Sequence, residues 1–216
     1  MTMIAFRAVS KHYPGRHVID ALSFEVAAGE RIILFGPSGC GKSTVLQLIA
    51  GLVTPDSGDI LINQELASTA GNNLLEPGQR GIGMVFQDLA LWPHMTVAEN
   101  IEFGLKAGRL PVHERRQRVR DLVHLVKLGD YLDARPGELS GGEQQRVALA
   151  RALAPKPRIL LMDEALANFD EALNRQMRRE ILCLHDELQF TLVYVTHSGE
   201  EARELGTRTI TLAAIT

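Results

Sequence analysis

Short apolar runs, rich in β-branched side chains, alternate along this chain with longer segments whose apolar residues recur at helical spacing. Continuous apolar runs predict buried parallel strands, because helices cover both faces of such a sheet. The runs are RIILF (31–35), GIGMVF (81–86), RILLMD (158–163) and TLVYVT (191–196). Strands that alternate with helices in this way indicate an α/β fold with a mainly parallel sheet.

Two regions depart from this pattern. Near the N-terminus, IAFRAVS and ALSFEVAAG alternate apolar and polar residues, which predicts antiparallel strands that form a β edge subdomain. Between about residues 88 and 152 the pattern is mostly helical, which predicts a helical subdomain inserted into the α/β core. We therefore expect a single domain over 1–216, with its α/β core and β edge subdomain in about 1–87 and 153–216.

Composition limits the kinds of partner. The 216 residues are 45% hydrophobic and 23% charged, with a net charge of −3, as in ordinary globular proteins. The one basic run, HERRQRVR (113–120), precedes apolar residues at helical spacing from Val119 to Val126, so we interpret it as the exposed face of a helix. No nucleic-acid partner is expected.

The two cysteines, Cys40 and Cys183, make a disulfide framework improbable and favour the cytoplasm. The N-terminus has no signal-peptide pattern, and no apolar run is long enough to cross a bilayer. If the protein works at a membrane, we expect another protein to hold it there.

The segment GPSGCGKST (36–44) lies between a predicted strand and a predicted helix. It matches G-x-x-x-x-G-K-[ST], in which the glycines let backbone N–H groups wrap the phosphates of a nucleoside triphosphate. Lys42 is predicted to reach the β and γ phosphates and Ser43 to bind Mg²⁺. Cys40 is interpreted either as an oxidisable thiol or as a small residue that fits the loop. The predicted nucleotide-binding residues are Gly36, Pro37, Ser38, Gly39, Cys40, Gly41, Lys42, Ser43 and Thr44.

Polar residues also follow three of the predicted strands. Asp163 is predicted to hold Mg²⁺ through water and Glu164 to polarise an attacking water, although an acidic pair could instead cap the next element. Gln87 and His197 would each be unremarkable alone. Because parallel strands end at the same edge of a sheet, all four are expected to face one triphosphate.

A second candidate anion site lies in LSGGEQQR (139–146), where a serine and two glycines open a helical pattern. GPSGCGKST, Gln87, LSGGEQQR, ILLMDE and His197 follow one another in this order. Together they resemble the nucleotide-binding subunit of an ATP-binding cassette (ABC) transporter. The resemblance covers about residues 3–205 and implies a P-loop NTPase core. It also implies that the chain pairs head to tail with a second copy or another ABC ATPase. The residues that would bind the partner's ATP are Ser140, Gly141, Gly142 and Glu143.

The same resemblance implies further roles. Tyr13 would stack on adenine, although alone it could be an ordinary edge-strand tyrosine. Gln87 would sense Mg²⁺ and water and link the site to the helical subdomain, and His197 would contact the γ-phosphate. Asp170 would take part in communication across the dimer. The implied cofactors are ATP and Mg²⁺.

The chain departs from the family pattern at a few positions. Glu143 replaces the commoner glutamine, and Ala165 and Ala167 of ALANFD stand where proline and serine are more usual. The second departure leaves open a subunit that binds ATP but barely hydrolyses it. The chain ends at Thr216, and we expect no additional regulatory domain of the kind that many importer subunits carry.

The segment VFQDLALWPHMTVAENIEFGL (85–105) resembles bacterial importer subunits. Its apolar residues are expected partly to fill the subdomain core and partly to form a groove for a membrane permease. The leading hypothesis is thus an ATP-hydrolysing motor of an importer, peripheral on the inner face of the cell membrane. The alternative is a soluble ABC ATPase acting on DNA or ribosomes.

The apolar residues of segment 85–105 that we expect to divide between the subdomain core and the groove are Leu89, Leu91, Trp92, Pro93 and Met95.

Overall fold

A five-stranded parallel sheet lies beside a five-stranded antiparallel sheet. The structure, a computed structural model, describes residues 1–108 and 110–213. In these residues the strands are β1 (Thr2–Tyr13), β2 (Arg16–Ala27), β3 (Arg31–Phe35), β4 (Ser57–Ile62), β5 (Glu65–Thr69), β6 (Asn72–Asn73), β7 (Ile82–Val85), β8 (Ile159–Asp163), β9 (Thr191–Thr196) and β10 (Arg208–Thr211). The helices are α1 (Lys42–Ala50), α2 (Val97–Ala107), α3 (Val112–Leu125), α4 (Gly141–Leu153), α5 (Glu171–Leu188) and α6 (Gly199–Leu205).

The parallel sheet has the strand order β10-β3-β9-β8-β7. Each neighbouring pair runs parallel, so all the strands end at the same edge of the sheet. The four apolar runs of the sequence form β3, β7, β8 and β9, as predicted. β10, which pairs with β3, was not anticipated.

Both faces of this sheet are covered. Along β3, Ile32 and Leu34 point into one apolar cluster, which α1 and the antiparallel sheet complete. Ile33 points into a second cluster, which includes residues of α2 to α5. All three side chains are fully buried. Alternate residues of the strand are apolar on both faces, and this explains why the sequence shows a continuous apolar run.

The antiparallel sheet has the order β2-β1-β4-β5-β6. The pairing of β1 with β2 places Phe6 opposite Phe24, with their rings stacked at 4.6 Å between centroids. The predicted fold class, a P-loop NTPase core with an antiparallel β edge and a helical region, is confirmed. The sequence indicated β1 and β2 but not β4 to β6.

Arg80 ties α1 to the antiparallel sheet. It is 4% exposed, and its guanidinium donates to the carbonyl oxygens of Leu48 and Ile49 at 3.0 and 2.9 Å. It also donates to Ser68 Oγ at 2.7 Å and Asn73 Oδ1 at 3.0 Å. A buried guanidinium is stable only when its donors are used, so this cluster fixes the two elements together.

The helices α2, α3 and α4 contact one another, and α4 also packs on β7. Thr96 begins α2 with a capping box, since it exchanges hydrogen bonds with Glu99. The apolar cluster of these helices continues onto the parallel sheet. The division into a core and an inserted helical subdomain at 88–152 stays a prediction. In the described residues no helix is long and apolar enough to span a membrane.

Candidate functional site

The glycine-rich loop between β3 and α1 has a tight backbone. Gly39 and Gly41 have φ of +80° and +99°. A Cβ at position 41 would lie 2.9 Å from the carbonyl oxygen of Val18, so both conformation and space require glycine there. α1 begins at the next residue, Lys42. Because the first N–H groups of a helix have no partner within it, this loop is suited to bind an anion.

Lys42 reaches back into this loop. Its Nζ donates to the carbonyl oxygens of Gly36 and Pro37 at 2.9 and 3.0 Å, and it lies 3.6 Å from Glu164 Oε1. The lysine is only 4% exposed. Its ammonium is therefore held at the centre of the loop, where a phosphate would lie.

The predicted metal ligands lie together. Ser43 Oγ donates to Asp163 Oδ1 at 3.1 Å, which joins the start of α1 to the end of β8. Burial raises the pKa of Asp163, an effect that the hydrogen bond from Ser43 partly offsets. A hydroxyl and a carboxylate are ligands that Mg²⁺ accepts beside phosphate oxygens, so these residues fit the ion.

Glu164 occupies the centre of the site. Its φ is +44°, which is unusual for a residue with a side chain and costs about 1–3 kcal/mol. Its backbone N–H donates to the Val195 carbonyl oxygen at 3.1 Å, which helps to fix this geometry. Its carboxylate lies between Lys42 and His197, whose Nδ1 is 3.3 Å from Glu164 Oε2. The structure thus brings the predicted acid and histidine into contact.

Lys42, Ser43 and Glu164 border a cleft of about 590 Å³ at the carboxyl edge of the parallel sheet. Tyr13, 40% exposed at the end of β1, and Gln87 also line it. Asp163 and His197 are not among its described lining residues, and they join the site through Ser43 and Glu164. The described lining residues are Tyr13, Pro14, Arg16, Val18, Ser38, Gly39, Gly41, Lys42, Ser43, Thr44, Gln87 and Glu164. Of the other predicted loop residues, Gly36 and Pro37 hold Lys42, and Cys40 is buried behind the loop.

Arg16 is a member of the cleft that sequence reasoning missed. Its guanidinium donates to the carbonyl oxygen of Gly39 in the loop. The β1–β2 hairpin brings it there, beside Tyr13. The adjacent positions in KHYPGR gave only a weak signal, because nothing local shows that the hairpin folds over the loop.

The second candidate anion site lies elsewhere. Ser140 caps α4, and it accepts a hydrogen bond from the Glu143 backbone N–H at 3.4 Å. The glycines allow close packing: a Cβ at Gly141 would lie 3.2 Å from the Phe169 ring, and one at Gly142 3.0 Å from Leu173. Among the described residues that line the cleft, none comes from this helix start.

The carboxylate of Glu143 accepts hydrogen bonds from Ser140, the residue that caps the same helix. Its Oε2 accepts from the Ser140 N–H at 2.8 Å and from Ser140 Oγ at 2.6 Å. The hydrogen bonds from Ser140 lower the pKa of Glu143, so it is ionised at neutral pH. A negative charge therefore lies beside the hydroxyl that is predicted to contact the partner's phosphate.

Asp170 begins α5. Its Oδ1 accepts from the Leu173 backbone N–H at 3.0 Å, as a helix N-cap does. The segment between Glu164 and Asp170 touches the start of α4 through Phe169. The structure thus gives Asp170 a local role, and its predicted role across a dimer stays a prediction.

An apolar groove of about 270 Å³ is lined in part by Phe86, the residue before Gln87. Trp92 packs on Phe103 with ring centroids 4.3 Å apart, and both line the groove with Phe86. Arg151 lies over Trp92 at 4.8 Å from the ring centroid. Leu89 and Leu91 instead pack against the buried core. The apolar residues of this segment thus divide between the core and an accessible groove.

The model of the ABC transporter family matches residues 19–167. The chain is 46% identical over 213 residues to the sn-glycerol-3-phosphate import ATP-binding protein UgpC of Bordetella pertussis, which covers 98% of this chain and 58% of that protein. It is 44% identical over 214 residues to the maltose/maltodextrin import ATP-binding protein MalK of Mannheimia succiniciproducens, with 99% and 56% covered. The chain thus spans a little over half the length of these curated relatives.

A solved structure is also similar. It is the dimeric structure of a post-hydrolysis state of the ATP-binding cassette MJ0796 bound to ADP and Pi, with a TM-score of 0.85 and 33% sequence identity. The similarity covers 98% of this chain and 95% of that one. The fold of this chain therefore has a counterpart, over nearly its whole length, in a dimeric ATP-binding cassette.

Proposed function

This chain belongs to the ABC transporter family, as its motifs predicted, and we propose that it is the ATP-hydrolysing subunit of an ABC importer. The observation that carries the proposal is the cleft that Lys42 and Glu164 line at one sheet edge, where His197 contacts Glu164. Its loop, charges and acidic pair suit binding and cleavage of a triphosphate. The names of its relatives support import.

Binding would use residues already in place. The adenine would stack on Tyr13, and the phosphates would enter the loop between β3 and α1. Lys42 would exchange its hydrogen bonds with Gly36 and Pro37 for phosphate oxygens. Because this ammonium is already positioned, little side-chain entropy would be lost on binding. Arg16 lines the same cleft as Lys42 and adds a second positive charge there.

Hydrolysis would depend on Glu164. Its carboxylate would accept a hydrogen bond from the attacking water, whose oxygen forms a bond to the γ-phosphorus while the bond to the β-phosphate oxygen of ADP breaks. His197 would hold the γ-phosphate from the other side of Glu164, since its ring lies 3.3 Å from that carboxylate. The strained backbone at Glu164 fixes the direction of the carboxylate in advance.

Ser43 and Asp163 would hold Mg²⁺, and Gln87 lies in the same cleft as Ser43. When bound, the ion neutralises negative charge on the β- and γ-phosphate oxygens. The raised pKa of Asp163 follows from burial beside Glu164, and a cation there would favour its ionised form.

The second anion site would act on a second subunit, for which another copy of this chain is sufficient. Ser140 and the glycines after it would donate to the γ-phosphate in the partner's cleft. Ser140 would first have to release Glu143, to which its hydroxyl donates at 2.6 Å. In a two-fold arrangement both clefts are completed in the same way. ATP would thus hold the dimer closed, and its hydrolysis would open it.

The groove beside Gln87 would receive a short helix of a membrane permease, with Trp92 and Phe103 in contact with it. This docking would place the protein at the inner face of the cell membrane. Movement of Gln87 at each ATP cycle would reach the permease through this contact. The transported substrate would be recognised by other subunits.

A pair of assays tests the proposal. Phosphate release by the wild type should exceed that of Glu164→Gln by at least about a hundredfold, since removal of a general base typically costs 10² to 10⁴. Tagged Glu164→Gln with ATP should retain a polytopic membrane protein from detergent-solubilised membranes. Equal phosphate release by the two proteins would contradict the enzyme. Recovery of ribosomal or DNA-associated proteins without a permease would contradict the importer.

A further inference from the structure

A buried carboxylate that the proposed reaction does not use lies behind the site. Glu201, in the first turn of α6, is 4% exposed. Its Oε2 accepts hydrogen bonds from Tyr194 Oη at 2.9 Å and Thr196 Oγ1 at 2.6 Å, both on β9. Its Oε1 accepts from the side-chain amide of Asn174, on α5, at 2.8 Å. One carboxylate thus gathers three donors from two other elements.

One of these donors also holds the segment between Glu164 and Asp170. Asn174 Nδ2 donates to the carbonyl oxygen of Leu166 at 3.0 Å. The carbonyl group of this fully buried leucine is therefore fixed by an amide that also serves Glu201.

The third donor holds the backbone around His197. Thr196 directly precedes the histidine, and its Oγ1 also accepts from the Ser198 backbone N–H at 2.9 Å. Residues on both sides of His197 are therefore anchored to one hydroxyl, and that hydroxyl is oriented by Glu201. His197 in turn lies 3.3 Å from Glu164 Oε2.

The position requires a group that only accepts hydrogen bonds. Burial and the nearby charge of Glu201 raise the pKa of Tyr194 well above its ordinary value, so its hydroxyl remains a donor. The side-chain amide of Asn174 cannot rotate by 180° without losing hydrogen bonds. Its Oδ1 accepts from Arg178, while its Nδ2 donates to the Leu166 carbonyl oxygen and to Glu201. A glutamine at 201 would present an NH₂ group to at least one of these donors.

We propose that Glu201 is a positioning residue that couples the segment 165–170 to His197. The inference rests on the proposed function, in which that segment faces the partner subunit and His197 holds the γ-phosphate. A displacement of Leu166 when the dimer closes would reach Thr196 through Glu201, and so would alter the position of His197.

The test compares Glu201→Gln with Glu187→Gln. Both replace a carboxylate by its amide, but Glu187, near the end of α5, is exposed and makes no side-chain hydrogen bond or ion pair with another described residue. Glu201→Gln should lower kcat by about tenfold or more, because small displacements of positioned groups cost rate, while the Kd for ATP changes less than about twofold. Glu187→Gln should keep kcat within about twofold of the wild type.

Amide hydrogen exchange provides a readout that needs no nucleotide. The Phe169 amide donates to the Leu166 carbonyl oxygen at 3.3 Å, and the Ser198 amide donates to Thr196 Oγ1 at 2.9 Å. In the nucleotide-free protein, Glu201→Gln should speed exchange of both amides by about tenfold, whereas Glu187→Gln should leave them unchanged. Unchanged exchange of these amides in Glu201→Gln would overturn the inference, as would equal kcat in the two variants. A wild type that fails to hydrolyse ATP while the exchange still responds would overturn the proposed function and leave the structural link standing.

Discussion

Two helices in this chain begin in glycine-rich turns, and their starts are built in opposite ways. α1 follows Gly41 and opens with Lys42 and Ser43, with no acidic residue in its first turn. α4 follows Ser140 and carries Glu143 in its first turn. The first start lies in a cleft lined by several elements, whereas the second lies outside that cleft. Only the first has a cation in its opening turn, Lys42, that is positioned to contact a bound phosphate.

The difference indicates how the two starts would be used. We expect the start of α1 to bind phosphate within one chain, because the lysine and the helix dipole act on the same point. At the start of α4, the Ser140 hydroxyl already donates to a carboxylate of its own chain. We expect this start to bind phosphate only when a second chain presents one that competes with that carboxylate. The first start would thus bind ATP itself, and the second would complete the cleft of another subunit.

The largest effect should come from Lys42→Met, which removes the cation from the cleft at the start of α1. Its charged hydrogen bonds to phosphate are each worth about 1.5–3 kcal/mol, so the Kd for ATP should rise about a hundredfold. Isothermal titration calorimetry measures this directly. A rise of less than about threefold would show that the backbone alone binds the triphosphate.

Ser140→Ala should separate the two sites. The Kd of the monomer for ATP should not change, but the ATP-dependent dimer should dissociate about tenfold more readily, because two hydrogen bonds to phosphate, one in each cleft, are lost. The lost N-cap should also lower the free energy of unfolding by about 1 kcal/mol. Ser140→Thr, which keeps a hydroxyl, is the control. If it weakens the dimer as much as alanine does, the hydroxyl is not the group that matters.

Glu143→Gln should act in the opposite direction. A glutamine keeps the capping box but removes the negative charge that faces the partner's phosphate. The dimer should therefore tighten by about threefold at low salt, and the gain should shrink as ionic strength rises. Analytical ultracentrifugation of the dimer in a hydrolysis-deficient background measures both. A looser dimer would mean that the carboxylate itself contributes to the interface.

The smallest effect concerns stability. Burial raises the pKa of Asp163, so its ionised form costs stability above that pKa, and the cost is relieved as pH falls through it. Asp163→Asn, which can still accept from Ser43, should raise Tm at neutral pH by about 2 °C and abolish activity. The difference in Tm should vanish in acid. If the Tm of Asp163→Asn at neutral pH is lower than that of the wild type, the buried Asp163 carboxylate does not reduce stability, and the prediction is wrong.

Much of the cleft at the start of α1 could be predicted from the sequence because its signals are local. A buried strand, a glycine-rich loop and a helix follow one another from Arg31 to Ala50, and each strand end brings its polar residue to one edge. The family resemblance supplied the predicted role of Ser140, whose partner would be a second molecule. The family and the fold class were predicted in this way, whereas the direct contact of Glu164 with His197 was not.

Other features depend on contacts between distant segments. The strands β4 to β6 are short and only partly apolar, so their pattern is weak. Arg80 looks like a surface residue in the sequence but is buried by carbonyl oxygens of α1. Glu201 follows another glutamate and reads as part of a helix start, because its donors on β9 and α5 are set by tertiary packing.

The central claim is that the start of α4 completes the cleft of a second subunit, and the most direct measurement is the mass of Glu164→Gln with and without Mg²⁺ and ATP. Size-exclusion chromatography with light scattering should give a dimer, twice the 23.8 kDa of the chain, with ATP but not with ADP. Adding Ser140→Ala should reduce the dimer. A protein that binds ATP, as calorimetry would show, yet stays monomeric at saturating nucleotide would contradict the claim.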